Sequence, residues 1–276
     1  MLSCFKDRLR SKGSRLENLS ITSEALPTLK DFRKPSGLFK LGIFCLGVFL
    51  FFYTVDGHGS SENPEKKEVL KMTENIHWLG HDTFKITGEK VIFTDPFKLR
   101  KKDKADLILI THEHYDHCSP EDVRLIQTQD TVIVAPEDCA KKLSGNIKIV
   151  KPGDKILVAG IEIEAVPAYN TNKKFHPKEN NWVGYIFKVN NQRIYIAGDT
   201  DRIPEMKSFK DVDIALLPVS GTYVMTAEEA AEAAMDIKPK VAIPMHYGSI
   251  VGSESDAKRF AELLKGKIEV IIKQQE

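Results

Sequence analysis

The sequence predicts a layered α/β or α+β domain of about 205 residues, running from near Met72 to the end of the chain. From Ile76 onward, short runs rich in Val, Ile, Phe and Tyr recur between turn-forming residues, the pattern of strands. Stretches that open with helix-capping chemistry interleave with them. Strands and helices alternating in this way bury their apolar faces by stacking in layers around a core. No self-similarity at solenoid periods is present, which excludes a repeat array.

In chain order, strands are expected at 76–79, 83–87, 90–94, 106–111, 131–135, 147–150, 155–158, 161–166, 183–189, 193–197, 213–217, 241–244 and 267–272. Gly80-His81-Asp82 is a tight turn between the first two. Ser119-Pro120-Glu121-Asp122 offers an N-cap, a proline at the first helical position and acids in the first turn. Thr226-Ala227-Glu228-Glu229 is a capping box ahead of an alanine-rich helix. Ser253 with Asp256 opens a further helix through Leu264.

The 276 residues carry 40 Lys+Arg against 39 Asp+Glu, a net charge of +1, so no global field exists to hold nucleic acid. With 42% hydrophobic and 29% charged residues, the chain is neither disordered, collagen-like nor wholly membrane-embedded. Four cysteines are too few and too scattered for a disulfide framework or a four-thiolate zinc site. The charge is unevenly spread. Residues 1–40 hold nine basic and four acidic side chains, a net +5, which leaves −4 for the remaining 236.

Residues 41–55, LGIFCLGVFLFFYTV, carry no charge, and Leu38-Phe39 extend the stretch across Lys40. As a helix, 38–55 would span about 27 Å, just short of a hydrocarbon core, with Lys40 snorkelling to the interface. The expected organisation is a basic N-terminal segment 1–37, a single transmembrane helix 38–55, a polar linker 56–71 and the layered domain 72–276. The alternative for 38–55 is a buried core helix. Lys30, Arg33, Lys34 and Lys40 upstream keep the N-terminus cytoplasmic and send the domain across the membrane. Translation from Met72 would instead give a soluble cytoplasmic product.

The most informative window is 106–117, DLILITHEHYDH. An apolar strand stops at Thr111, and the next six residues supply His112, His114, Asp116 and His117. Alternation along an extended backbone points His112 and His114 the same way. Asp116 and His117 follow where the chain turns into the Ser119 helix. Imidazole nitrogen and carboxylate oxygen suit zinc and related first-row cations. The bland alternative, a polar loop whose histidines only cap, leaves several imidazoles and an acid crowded together with no cation to share.

His-x-His-x-Asp-His after an apolar strand resembles the signature of the metallo-β-lactamase superfamily of metal-dependent hydrolases. Trp78-Leu79-Gly80-His81 followed by Asp82-Thr83-Phe84, Thr94-Asp95-Pro96, Ala197-Gly198-Asp199-Thr200-Asp201 and Ile243-Pro244-Met245-His246-Tyr247-Gly248 come in the family's order. They look most like the branch of L-ascorbate-6-phosphate lactonase and the N-acyl-phosphatidylethanolamine phospholipase D-like proteins. The resemblance implies a four-layer αββα sandwich with two divalent metal ions at one edge of the sheets. The ions would be zinc, with manganese or iron as alternatives. His112 and His114 would bind the first ion, Asp116 and His117 the second, Asp199 both, and His246 would complete the second. The family's further histidine for the first ion is replaced by Asn170, and His176, six residues on, is expected to take its place, with Asn170 or water as the alternative.

Other residues near these motifs have humbler expectations. Asp95 orients a metal-binding histidine or its loop, His81 has a structural hydrogen-bonding role, and Cys118 is a small buried filler. His58 is a solvated linker residue. Backbone amides around Ser220-Gly221-Thr222 either meet an anionic substrate group or simply cap a helix. Tyr169, Trp182 and Tyr247 wall the cleft or pack, and Lys173 with Lys174 form a positive loop.

The activity so implied is hydrolysis of an ester, lactone or phosphodiester in a small-molecule or lipid substrate by a metal-bridged hydroxide, with Asp116 and Asp199 as catalytic carboxylates. No serine or cysteine nucleophile is needed. A nuclease of the same superfamily would want a basic surface, whereas residues 41–276 sum to −4. An iron redox enzyme would carry a carboxylate where His114 stands. A non-catalytic scaffold would have lost ligands, and only Asn170 hints at that.

Overall fold

The structure, a computed structural model, describes residues 64–276. The expected basic segment 1–37, the transmembrane helix 38–55 and the linker as far as residue 63, including His58, lie outside the described residues. Among the described residues no helix is long and apolar enough to cross a membrane.

Two sheets form the centre of the domain. The first runs β1 (Ile76–Gly80), β2 (Thr83–Ile86), β3 (Ile92–Thr94), β4 (Leu107–Leu109), β5 (Val132–Ala135) and β6 (Asn146–Ile149), in that spatial order. The second runs β7 (Lys155–Val158), β8 (Ile161–Pro167), β9 (Val183–Val189), β10 (Gln192–Ile196), β11 (Ile214–Pro218), β12 (Val241–Met245) and β13 (Glu269–Val270), again as neighbours in chain order. Each sheet begins as antiparallel hairpins and ends as parallel strands: β3 through β6 are parallel, and so are β10 through β13. All the expected strands are present. The last is shortened to two residues, because the amides of Lys267 and Ile268 bond back to the Leu264 carbonyl and finish the preceding helix instead.

Side-chain alternation builds the layers. In β4, Leu107 and Leu109 join the main core with residues of the second sheet. Ile108 joins a separate cluster with Val123, Ile126, Cys118 and Cys139 under α2 (Pro120–Ile126) and α3 (Glu137–Ala140). On the far side of the second sheet lie α4 (Ala227–Ile237) and α5 (Glu254–Leu264), whose Ala230, Ala233, Ala234, Phe260 and Leu264 are fully buried in the main core. The order is helix, sheet, sheet, helix. Strands covered on both faces need apolar residues at every position, and β11 (IALLP) and β12 (VAIPM) read that way.

Two helices were not legible in the sequence. Residues 64–71, expected as linker on their composition, form most of α1 (Pro64–Thr73). Val69 and Met72 pack against the main core, Gln192 donates to the Met72 carbonyl at 2.9 Å and Lys273 to that of Thr73 at 2.6 Å. Tertiary contacts, not propensity, decide this helix. The four-residue α3 is likewise held by burial of Cys139 in the second cluster.

The two sheets are joined at the ends that carry the histidines. The Val183 amide donates to the Thr111 carbonyl at 3.1 Å, and the Tyr185 hydroxyl donates to the Ile110 carbonyl at 2.6 Å. The capping box of α4 is complete, with Glu229 N donating to Thr226 Oγ1 at 3.1 Å and Thr226 N donating to Glu229 Oε2 at 2.9 Å. Thr226→Ala is therefore expected to lower stability by about 1 kcal/mol, read from the urea midpoint. An unchanged midpoint would contradict the capping role.

Candidate metal centre

Five segments bring donor groups to one end of the sandwich. They are the loop after β4, the β1–β2 turn, the loop after β8, the end of β10 and the end of β12. The loop after β4 folds tightly: the amides of His117 and Cys118 both donate to the His114 carbonyl, at 3.0 and 2.8 Å, before α2 begins at its Ser119 cap. This turn carries His112, His114, Asp116 and His117 within one compact stretch.

Asp199 occupies the middle. It follows β10 through Gly198, whose φ is +62°; a Cβ there would lie 2.8 Å from the Thr111 Cβ. Only glycine lets the chain pass Thr111 this closely. The Asp199 Oδ2 lies 3.2 Å from His176 Nε2, 3.2 Å from His246 Nε2 and 3.9 Å from His112 Nε2, and its Oδ1 lies 3.4 Å from His117 Nε2. The remaining histidine, His114, presents Nδ1 at 3.1 Å from His112 Nε2 and 3.2 Å from His176 Nε2. Trp182 walls this trio, its ring 4.9 Å from those of His112 and His114 and 5.5 Å from that of His176, with its indole N–H donating to Asp138.

Four of the rings are held from behind by the same device. Nδ1 of His112 meets Thr111 Oγ1 at 3.0 Å, that of His117 donates to Asp95 Oδ2 at 2.9 Å, that of His176 donates to Asn170 Oδ1 at 3.1 Å, and that of His246 meets Ser220 Oγ at 2.9 Å. Each leaves Nε2 turned toward Asp199. Fixing one ring nitrogen by a hydrogen bond sets the tautomer and orientation of the other, as metal-binding histidines require. Asp95 itself is anchored by the amide and hydroxyl of Thr111, at 2.8 and 2.6 Å.

These observations place the residues singled out by the sequence. His112, His114, His117, His176, Asp199 and His246 converge. Asp116 joins them at the rim, its Oδ2 accepting from His81 Nε2 at 3.1 Å and lying 3.8 Å from His117 Nε2. Asn170 does not face the cluster directly: its Oδ1 accepts from both His176 N and Nδ1, and its amide donates to Asp201 and the Tyr223 carbonyl. Lys173, expected as part of a positive loop, is instead paired with the buried Asp201 carboxylate. The Ser220 hydroxyl is turned to His246. Sequence reasoning missed the roles of Thr111, Ser220 and Asp82, because Asp95, His246 and His117 reach them only in the fold.

The donor set fits divalent cations. Among the described residues, His117 Nε2, His246 Nε2, Asp199 Oδ1 and both oxygens of Asp82 are buried without a hydrogen-bond partner, and such orphans are costly unless something charged satisfies them. Donor atoms of His112, His114 and His176 form one group within 4.8 Å of one another; those of His81, Asp116, His117 and His246 form another, and those of Asp82, His117, Asp199 and His246 a third. Burial pushes the pKa of His81 down to about 4 and those of His112 and His114 below the usual imidazole range, favouring the neutral ligand form. Burial opposes charge on His246, yet Asp199 and Asp82 raise it to about 9. Burial likewise lifts Asp82 to about 8, while His246 and His117 hold Asp199 well below the carboxylate range against the same burial.

Gly198→Ala is expected to cost roughly 1–3 kcal/mol from overpacking against Thr111 and about 1 kcal/mol more from the left-handed backbone, measured by urea denaturation. A loss below about 0.5 kcal/mol, the level of an ordinary surface change, would contradict the close approach.

A sequence model of the beta-lactamase superfamily domain matches residues 75–246. The UPF0173 metal-dependent hydrolase of Thermococcus onnurineus is 34% identical over 217 residues, covering 71% of this chain and 95% of that protein. The UPF0173 metal-dependent hydrolase of Thermoplasma acidophilum is 34% identical over 201 residues, covering 68% and 89%. Among solved structures, a protein of Parabacteroides distasonis described as a metal-dependent hydrolase superposes with a TM-score of 0.65 at 39% identity, over 73% of this chain and 93% of that one. A metallo hydrolase of Ignicoccus hospitalis gives 0.60 at 25% identity, over 72% and 94%. With this fold, this cluster of imidazoles and carboxylates and these relatives, the chain belongs to the UPF0173 metal-dependent hydrolases of the metallo-β-lactamase superfamily and is an enzyme of that kind.

Proposed function

We propose that this hydrolase holds two divalent cations, zinc being the best match to mixed imidazole and carboxylate donors, and that it cleaves an ester, lactone or phosphodiester bond in a small-molecule or lipid substrate. His112, His114 and His176 would hold one ion, Asp116, His117 and His246 the other, and Asp199 both. The observation that carries this reading is the position of Asp199, which has one carboxylate oxygen beside His176 and His246 and the other beside His117. Bound there, the cations would supply Lewis-acid polarisation of the scissile group and lower the pKa of water.

The protein's own groups do the rest. Asp95, Asn170, Ser220 and Thr111 fix the rings, so little reorganisation is left for the reaction itself. Burial opposes ionisation of Asp116, but its hydrogen bond from His81 keeps the pKa low, so an ionised Oδ2 stands at the rim where it can accept a proton and return it to a leaving group. Tyr115, next to Asp116, is 67% exposed and Phe175, next to His176, 48% exposed, and each packs against a second aromatic, Phe97 and Tyr223. Exposed aromatics beside the catalytic groups suit a substrate with an apolar portion. That supports the lactonase and phospholipase-like branch as the source of substrates. Residues 38–55 would tether the enzyme to a membrane, with the catalytic domain on the non-cytoplasmic side.

Two experiments test this reading. Chelator treatment should abolish hydrolysis of a lactone and bis-p-nitrophenyl phosphate panel, and zinc or manganese should restore it; activity unaffected by exhaustive chelation would contradict it. Asn170→Ala should weaken one ion by roughly 10–100-fold through loss of His176 orientation while the other binds normally, as read by competition with a chromophoric chelator. Equal weakening of both ions would contradict the assignment of His176 to one of them.

A further inference from the structure

The β1–β2 turn carries an acid that the arrangement above does not use. Asp82 is fully buried, and among the described residues neither of its carboxylate oxygens has a hydrogen-bond partner. The turn does not need this side chain. Gly80, at φ +111°, and His81, at φ +52°, provide its backbone geometry. The Asp82 carbonyl, not its carboxylate, accepts from Thr94 Oγ1 at 3.1 Å, and neighbouring Thr83 Oγ1 makes the local bond to the Asp95 carbonyl at 2.7 Å. A serine or asparagine would serve the turn as well. Among the described residues no lysine or arginine pairs with Asp82. Its charged neighbours are the groups of the metal centre: Oδ2 lies 3.7 Å from His117 Nδ1, and a carboxylate oxygen falls within the group formed with His117, Asp199 and His246, all within 4.8 Å.

A buried carboxyl group with neither oxygen hydrogen-bonded is costly even when protonated, and a bound cation would satisfy its oxygens and hold it ionised. We propose that Asp82 is a further metal-facing carboxylate, adding a donor oxygen and a negative charge to the cation position formed by His117, Asp199 and His246. The inference rests on the reading of this cluster as a metal centre. It makes that position richer in oxygen than the His112, His114, His176 position, where Asp199 is the one carboxylate among three imidazoles. The two positions therefore differ in donor softness, and the oxygen-rich one suits the harder cation.

The test uses the full-length chain stripped of metal and reloaded with cobalt(II), comparing the natural sequence with Asp82→Asn and, should that variant fold poorly, Asp82→Ser. The natural chain is expected to bind two ions. Either variant should bind one of them roughly 10–100-fold more weakly, with altered visible absorption bands for that ion, while the thermal midpoint of the metal-free protein stays equal or rises. If a variant binds both ions as tightly as the natural chain with an unchanged spectrum, or if its metal-free midpoint drops while the spectrum is unchanged, Asp82 is a structural residue. The proposal then fails while the two-metal reading stands. If the natural chain takes up no cobalt, both fall.

Discussion

The carboxylate of Asp199 lies within 3.9 Å of four imidazole nitrogens that come from three separate parts of the chain. Almost every feature near the end of the sandwich is arranged around this crowding. Gly198 permits the approach past Thr111, and Thr111 in turn anchors Asp95, which fixes His117. The hydrogen bond from the Val183 amide to the Thr111 carbonyl and that from the Tyr185 hydroxyl to the Ile110 carbonyl tie the second sheet to this same corner. A site assembled from both sheets can hold its geometry only if the sheets cannot slide, and these bonds prevent that.

The charge pattern follows from burial. Neutral imidazoles at His81, His112 and His114 sit beside His117 and His246, which the surrounding carboxylates push toward the charged form. Histidines and acids at such short range, several with no hydrogen bond on the inward-facing atom, are poorly matched to one another as a purely protein network. They are well matched to divalent cations, which satisfy lone pairs from many directions at once. That explains why metal-dependent hydrolysis fits this geometry better than any mechanism built on a side-chain nucleophile.

Much of this was legible in the sequence, for identifiable reasons. The strands could be read because buried apolar runs leave a local signature, and His112, His114, Asp116 and His117 because they are contiguous. Asp199 and His246 each stand alone, and only the order of the surrounding motifs singled them out. The departure at Asn170 was visible, but its meaning was not: the fold turns Asn170 into the support of His176 rather than a substitute for it. The roles of Ser220 and Thr111 in fixing His246 and Asp95 had no local signal, since those partners are distant in sequence, and Asp82 was visible only as part of a turn motif with no sign that its carboxylate faces His117. The helix Pro64–Thr73 was hidden for a different reason: its charged composition reads as linker, and two apolar side chains packed on the core decide otherwise.

Side chains far apart in sequence converge on Asp199, and we propose that they hold a pair of cations. Anomalous diffraction at the zinc edge from crystals of the zinc-loaded protein tests it most directly. Two peaks are predicted, one among His112, His114 and His176 and one among Asp116, His117 and His246, each in contact with an oxygen of Asp199. Absence of a peak at this end of the sandwich, or zinc bound away from Asp199, would contradict it.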